Sequence, residues 1–192
     1  GTVANIEGLW LARNLKALPL SIAAHPQAKH LVAGLSQQQL LNLPVRQILD
    51  LISALEQQHV FEEVNNNSIR CTGLHHGQLG KVLIPRSKHY SWLKAMDILG
   101  LGQDQIVPVD VDHNYRIDIA SLQKSLEELI KAGTPILAVV TVVGTTEEGS
   151  VDPVHEVIAL RDHCEQEHGI SFYVHCDAAY GGYVRSMFVD EQ

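Results

Sequence analysis

Basic residues and long apolar runs are both scarce in this sequence. The 192 residues include 14 Lys and Arg against 22 Asp and Glu, which gives a net charge of −8. Proteins that bind nucleic acids usually carry a basic stripe, so we expect no nucleic-acid partner. No apolar run reaches the roughly 18 residues of a membrane span, so we also expect no membrane partner.

Cysteine is scarce as well, with three residues in the whole chain. An odd number does not make a complete disulfide framework, and Cys164 and Cys176 lie in segments that we predict to be buried. This usage is typical of a reducing compartment, so we predict a cytoplasmic protein. The start of the chain also lacks the pattern of a signal peptide.

The two ends of the chain suggest that it is part of a longer protein. It passes from Gly1-Thr2 directly into a helical pattern and stops soon after the motif HCDAAYGG. Its length suits one domain, at roughly 150 residues per domain. With 45% hydrophobic and 19% charged residues, that domain has enough apolar side chains for a core.

The first 80 residues are predicted to hold helices separated by loops. Thr2 is predicted to cap a helix over residues 3–16, Ser36 to cap a short helix, and Asn42 to cap a longer one. The predicted loops are residues 17–35 and 65–80.

After Gly80 the pattern alternates regularly between strand and helix. The run PILAVVTVV is continuously apolar, which is typical of a strand covered on both faces. Alternation of this kind predicts an α/β fold with a mostly parallel sheet and helices on both faces. The predicted strands are 81–85, 106–111, 135–143 and 171–176, and the predicted helices are 89–99, one that begins at Asp118 or Ser121, and one from Pro153 to about 167.

Two of these strands end in residues with potential chemistry. PILAVVTVV runs into Gly144-Thr145-Thr146, and FYVHC runs into Asp177. Ligands of parallel sheets bind beyond the carboxyl ends of the strands, so Thr146 and Asp177 would face one crevice if their strands are neighbours. Asp177 has two interpretations: a helix N-cap, or a buried acid whose partner is a cationic ring nitrogen. In the second case the small residues that follow, Ala178, Ala179, Gly181 and Gly182, would leave room for a flat ring.

Two other positions fit such a ligand. The helix that begins near Gly1 and Thr2 presents free N–H groups, which bind phosphate. His89 lies at the start of a predicted helix just after a strand, where it could cap the helix, pack in the core, or stack on an aromatic ring.

A metal site is a further alternative, because the chain has 11 histidines. His75 and His76 follow Cys71, and His175 lies two positions before Asp177, on the same side of a strand. No CxxC or HExxH motif is present, so we predict no metal site. The corresponding functional alternative is a metal-dependent hydrolase that uses His175 and Asp177.

Four motifs in order resemble the group II pyridoxal-phosphate-dependent amino-acid decarboxylases. They are GTVAN at residue 1, KHYS at residue 88, GTT at residue 144 with the DP at residue 152, and HCDAAYGG at residue 175. The resemblance implies the large domain of the fold-type I (aspartate-aminotransferase-like) fold and pyridoxal 5'-phosphate as the cofactor. Within the family, the chain looks most like bacterial tyrosine decarboxylases, including a helical and loop insertion at about 20–78.

The resemblance implies roles for individual residues. His89 would stack on the pyridine ring, Thr146 would lie beside the ring oxygen and the substrate, and Asp177 would pair with the ring nitrogen; these three are the expected catalytic residues. The role of His175 stays open, and Cys176 stands where valine is usual. The expected cofactor-binding residues are Gly1, Thr2, His89, Thr146, Asp177 and Ala179.

The expected function is decarboxylation of an L-amino acid, tyrosine or a related aromatic one, with a homodimer implied by the family. A glutamate or aspartate decarboxylase and a catalytically inactive relative are the alternatives. The family's cofactor-binding lysine follows a histidine downstream of the HCDAAYGG motif, and this chain contains no His-Lys pair. We therefore expect no turnover from residues 1–192 alone.

Overall fold

The structure, a computed structural model, describes residues 1–72 and 79–188. His75 and His76 lie outside the described residues. The helices are α1 (Thr2–Ala24), α2 (Gln37–Leu41), α3 (Val45–Gln57), α4 (Phe61–Asn66), α5 (Ile69–Thr72), α6 (Ser91–Ile98), α7 (Ile119–Lys131), α8 (Val154–His168) and α9 (Gly181–Ser186). The strands are β1 (Lys81–Pro85), β2 (Ile106–Val109), β3 (Ile136–Val142) and β4 (Tyr173–Asp177).

The four strands form one sheet in the order β2-β1-β3-β4, and every pairing between them is parallel. All seven residues of β3 are buried, as its continuous apolar run predicts. β3 and β4 are hydrogen-bonded neighbours with Val142 opposite Asp177. The carboxyl ends of these two strands therefore meet at the same edge of the sheet, which meets the condition for Thr146 and Asp177 to face one crevice.

Helices cover both faces of this sheet, which confirms the predicted layers. On one face, Leu9 of α1 and Trp92 of α6 pack against Val82 and Val140. On the other face, buried residues of α7 and α8 pack against Leu83 and Val139: Leu122, Leu126, Val157 and Cys164. The result is a three-layer α/β arrangement that places the first turn of α1 beside the carboxyl ends of β3 and β4.

Several local predictions for the first 80 residues were wrong. Helix α1 continues through Pro19 to Ala24, although Pro19 cannot donate to the Leu15 carbonyl. Burial of Leu18 and Ile22 in an apolar cluster offsets that loss. Residues predicted as loop from 65 onward include the end of α4 and all of α5.

The predicted caps have mixed outcomes. Ser36 forms the expected capping box with Gln39, and Asp118 caps α7 by accepting from the Ser121 N–H. Asn42 does not cap α3; its side chain donates to the Gln38 carbonyl at the end of α2, because Pro44 takes the N-cap position of α3.

Cys164 is buried as predicted, whereas Cys176 is exposed. The prediction for Cys176 was wrong because β4 is an edge strand and this side chain faces away from α1. All three cysteines are free thiols. Within the described ranges, no helix combines the length and apolar character that crossing a bilayer requires.

Candidate active site

A cavity of about 280 Å³ opens where β3 and β4 end. It brings together all six residues that the sequence predicts for cofactor binding, together with Asn5, Ser87, Val142, Gly144, Thr145 and Tyr180. The convergence of segments so far apart in sequence identifies this cavity as the candidate site.

The first turn of α1 forms one wall of the cavity. Gly1 is the N-cap residue and Thr2 is the first helical residue, so the prediction that the Thr2 side chain caps the helix was wrong. The first bond within the helix runs from the Asn5 N–H to the Gly1 carbonyl. The preceding amides therefore have no partner within the helix, and they give this wall a partial positive charge.

Asp177 lies at the base of the cavity and is only 5% exposed. Its Oδ2 accepts hydrogen bonds from Asn5 Nδ2 at 2.7 Å and from Trp92 Nε1 at 3.2 Å. No described residue donates to its Oδ1 or forms an ion pair with it. The N-cap interpretation of Asp177 was wrong, because the helix that follows begins at Gly181 with Tyr180 as its N-cap.

His175 precedes Asp177 on the same face of β4, as predicted. Its Nε2 lies 3.2 Å from Asn5 Oδ1, and its ring packs edge-on against Trp92 at 5.1 Å between centroids. Burial lowers the pKa of His175, and the nearby Asp177 carboxylate only partly opposes this shift. A Cβ on Gly8 would overlap the imidazole, so glycine is what allows α1 to approach β4 here.

His89 occupies the turn between β1 and α6; the helix was predicted to begin at His89 and begins two residues later, at Ser91. Its Nδ1 accepts a hydrogen bond from the Ser91 backbone N–H at 3.2 Å, which leaves Nε2 to carry the proton of the neutral ring. The ring lies 4.1 Å from that of Tyr90 and lines the cavity. This half-buried imidazole offers a flat surface to the cavity.

A buried carboxylate holds the loop that carries Thr146. Asp152 accepts from the Val142 N–H at 2.6 Å and from the Ile117 N–H at 2.7 Å. Burial raises the pKa of Asp152 despite these two donors. Thr145 accepts from the Ser150 N–H through Oγ1, and Thr146 is exposed at the mouth of the cavity.

The small residues after Asp177 have different functions in the structure. Ala179 lines the cavity, and a Cβ on Gly1 would lie 3.5 Å from its methyl group. Gly181 instead donates to the Val143 carbonyl at 2.9 Å, and a side chain there would overlap that carbonyl. Of the small residues predicted to leave room for a ring, only Ala179 borders the cavity.

Sequence reasoning did not assign functions to Asn5 or Trp92. The signal for Asn5 was available, because Asn5, Leu9, Ala12 and Lys16 repeat at helical spacing along the buried face of α1. A polar residue on such a face needs a buried partner. Trp92 gave no equivalent signal, because a tryptophan on the apolar face of a helix usually packs in the hydrophobic core.

No cluster of three or more metal-ligating side chains occurs among the residues that the structure describes. His175 directs Nε2 at Asn5, so its imidazole and the Asp177 carboxylate are joined through an amide.

Residues 59–189 match the family described as "Pyridoxal-dependent decarboxylase conserved domain". The L-tyrosine decarboxylase of Enterococcus faecalis is 51% identical over 191 residues, which cover 100% of this chain and 30% of that protein. That of Levilactobacillus brevis is 49% identical over 192 residues, with 100% and 30% covered. This chain thus spans about 30% of the length of these relatives.

One solved structure supports the fold. It is the glutamate decarboxylase domain of diaminobutyrate-pyruvate transaminase and L-2,4-diaminobutyrate decarboxylase from Vibrio parahaemolyticus. It matches with a TM-score of 0.56 and 21% identity, covering 95% of this chain and 29% of that chain. The similarity confirms the expected fold class.

Proposed function

The chain belongs to the pyridoxal-dependent decarboxylase family, and we propose that it forms the cofactor-binding part of a pyridoxal-phosphate-dependent L-amino-acid decarboxylase. The observation that carries this proposal is Asp177, a buried carboxylate whose Oδ1 has no donor among the described residues. Both donors bind Oδ2 and both are neutral groups, so the buried negative charge still lacks a cationic partner. A protonated ring nitrogen in the cavity would supply one.

The residues around Asp177 fit the remaining parts of the cofactor. His89 and Ala179 would bind the two faces of the pyridine ring, and Thr146 would contact the ring oxygen and the substrate. Gly1, Thr2 and the free amides of the first turn of α1 would bind the phosphate, because a helix N-terminus attracts anions.

Pyridoxal phosphate supplies an electron sink for the electron pair that remains when the carboxylate leaves as CO₂. Asp177 would hold the proton on the ring nitrogen, because a nearby negative charge raises the pKa of that nitrogen. The buried position of Asp177 excludes bulk water from the pair and so strengthens the attraction. His89 would keep the ring fixed against Ala179.

We propose L-tyrosine as the substrate, supported by the two L-tyrosine decarboxylases that are about half identical to the chain. A homodimer is proposed from the family resemblance, and a cytoplasmic location from the three free thiols. Residues 20–78, which contain the small helices α2 to α5, are proposed to be an insertion into the large domain.

Titration of the chain with pyridoxal phosphate tests the cofactor assignment. We expect saturable binding, and we expect Asp177→Asn to weaken it at least about tenfold, because the substitution removes a charge-assisted hydrogen bond. Asp162→Asn, an exposed position on α8, is the matched control and should leave the affinity unchanged. Equal affinity in Asp177→Asn and the unmodified chain would refute the role of Asp177.

The substrate requires a separate measurement on the longest natural polypeptide that contains this sequence. We expect it to release tyramine from L-tyrosine faster than it decarboxylates L-glutamate. The opposite ranking would support the acidic-substrate alternative, and no release from either would support an inactive relative.

A further inference from the structure

A chain of three polar side chains connects α1 with the end of β4. His175 Nε2 contacts Asn5 Oδ1 at 3.2 Å, and Asn5 Nδ2 contacts Asp177 Oδ2 at 2.7 Å. Asn5 Nδ2 also donates a hydrogen bond to Ser91 Oγ, with 3.3 Å between the two atoms. Asn5 is 3% exposed, so these contacts replace water rather than compete with it.

The direction of every hydrogen bond in this chain follows from Asp177. An ionised carboxylate can only accept, so the amide nitrogen of Asn5 must face Asp177. The amide oxygen must then face His175, and His175 must donate through Nε2. A neutral imidazole carries one proton, so His175 is fixed as the Nε2–H tautomer.

Two packing contacts keep His175 in this orientation. The imidazole lies edge-on to Trp92, and it fills the space that a side chain on Gly8 would occupy. The indole N–H of Trp92 also donates to Asp177 Oδ2 at 3.2 Å. The two donors to Oδ2 therefore come from two helices, α1 and α6, that pack on the same face of the sheet.

We propose that Asn5 and His175 are positioning residues that hold Asp177 with Oδ2 engaged and Oδ1 directed at the ring nitrogen of the cofactor. This inference rests on the proposed cofactor site. His175 acts through Asn5 and does not touch the cofactor. A carboxylate that rotates freely would present its two oxygens at random and would bind the ring nitrogen less tightly.

The first test measures the tautomer of His175 directly, without cofactor. Two-dimensional ¹H–¹⁵N NMR of the labelled chain distinguishes an Nε2–H from an Nδ1–H imidazole. We expect the Nε2–H form in the unmodified chain and a mixture in Asn5→Leu, which keeps the size of the side chain and removes the acceptor. An Nδ1–H form in the unmodified chain, or an unchanged tautomer in Asn5→Leu, overturns the inference.

The second test measures the affinity for pyridoxal phosphate. We expect Asn5→Leu to weaken binding about tenfold, because a charged group loses one hydrogen bond. His175→Phe keeps an aromatic ring beside Trp92 and removes the Nε2–H donor to Asn5. We expect it to weaken binding less than Asn5→Leu does. It also provides the test if Asn5→Leu does not fold. Asn14→Leu is the matched control on α1, outside the cavity, and should bind like the unmodified chain.

The outcomes separate the two proposals. If the unmodified chain binds pyridoxal phosphate and both Asn5→Leu and His175→Phe bind it equally well, the positioning inference is overturned and the cofactor site stands. If the longest natural polypeptide that contains this sequence does not bind pyridoxal phosphate either, both proposals are overturned. Weaker binding in both variants, together with the Nε2–H tautomer, supports the inference.

Discussion

Lys16 Nζ lies 2.9 Å from the carbonyl oxygen of Ser171, and it donates a second hydrogen bond of 2.9 Å to the Leu43 carbonyl. The side chain is fully buried in the middle of α1. Burial lowers its pKa to about 7, and the attraction of Glu165 opposes this only in part. The lysine therefore joins α1 to the segment before β4 through neutral acceptors.

This burial predicts that the stability of the fold depends on pH. Between pH 7 and 10.5 the unfolded chain binds the Lys16 proton and the folded chain releases it, so the free energy of unfolding should rise with pH. From pH 7 to pH 9 the expected gain is on the order of 1–3 kcal/mol. Urea denaturation at both pH values measures it.

Lys16→Met should remove most of that pH dependence, whatever its effect on overall stability. Lys124→Met changes an exposed lysine on α7 and should retain the pH dependence of the unmodified chain. A pH dependence that is identical in both variants would contradict a buried, neutral Lys16.

Gly8→Ala should destabilise the protein, although alanine is the better helix former by about 1 kcal/mol. The new methyl group overlaps the His175 imidazole and forces α1 away from β4. The expected loss is about 1–3 kcal/mol in the free energy of unfolding. In a His175→Ala background the overlap is gone, so Gly8→Ala should there become neutral or stabilising.

Asp152→Asn should lower the free energy of unfolding by about 2 kcal/mol. The carboxylate accepts from two backbone amides, whereas an asparagine can accept from one and points an N–H group at the other. Thermal unfolding measures the loss. Asp162→Asn is again the exposed control, and a similar effect of both variants would argue against this specific role.

His89→Phe should bind pyridoxal phosphate more tightly than His89→Ala, because phenylalanine keeps a flat surface for the ring. His89→Ala should weaken binding about tenfold relative to the unmodified chain, since stacking of this kind contributes about 0.5–1.5 kcal/mol beyond area burial. Affinity measured by titration at constant pH compares the three proteins. Equal affinity in all three proteins would refute the proposal that His89 stacks on the cofactor.

The sequence was sufficient to predict that Asp177 and Thr146 lie at the edge of the sheet where ligands bind, because each follows the carboxyl end of a parallel strand. Alternating strands and helices fix the direction of the strands, and neighbouring strand ends then meet. The pairing of Asn5 with Asp177 could not be predicted in the same way, because 172 positions separate them. No local pattern determines which buried amide meets which carboxylate.

The errors in the first 80 residues have a different origin. Pro19 and Asn42 carry strong local signals for a helix break and a cap, but tertiary contacts decide both positions. Burial of Leu18 and Ile22 carries α1 past Pro19. The backbone carbonyl of Asn42 also accepts a hydrogen bond of 3.0 Å from the Ser171 N–H. Asn42 therefore connects the end of α2 to the segment before β4.

The contact between α1 and β4 also affects how the protein is made. Ribosomes add roughly 5–20 residues per second, so about ten to thirty seconds separate synthesis of Asn5 from that of Asp177. During that interval two buried polar side chains of α1, Asn5 and Lys16, lack their partners Asp177 and Ser171. The hydrogen bonds that join α1 to β4 can therefore form only after β4 has been synthesised.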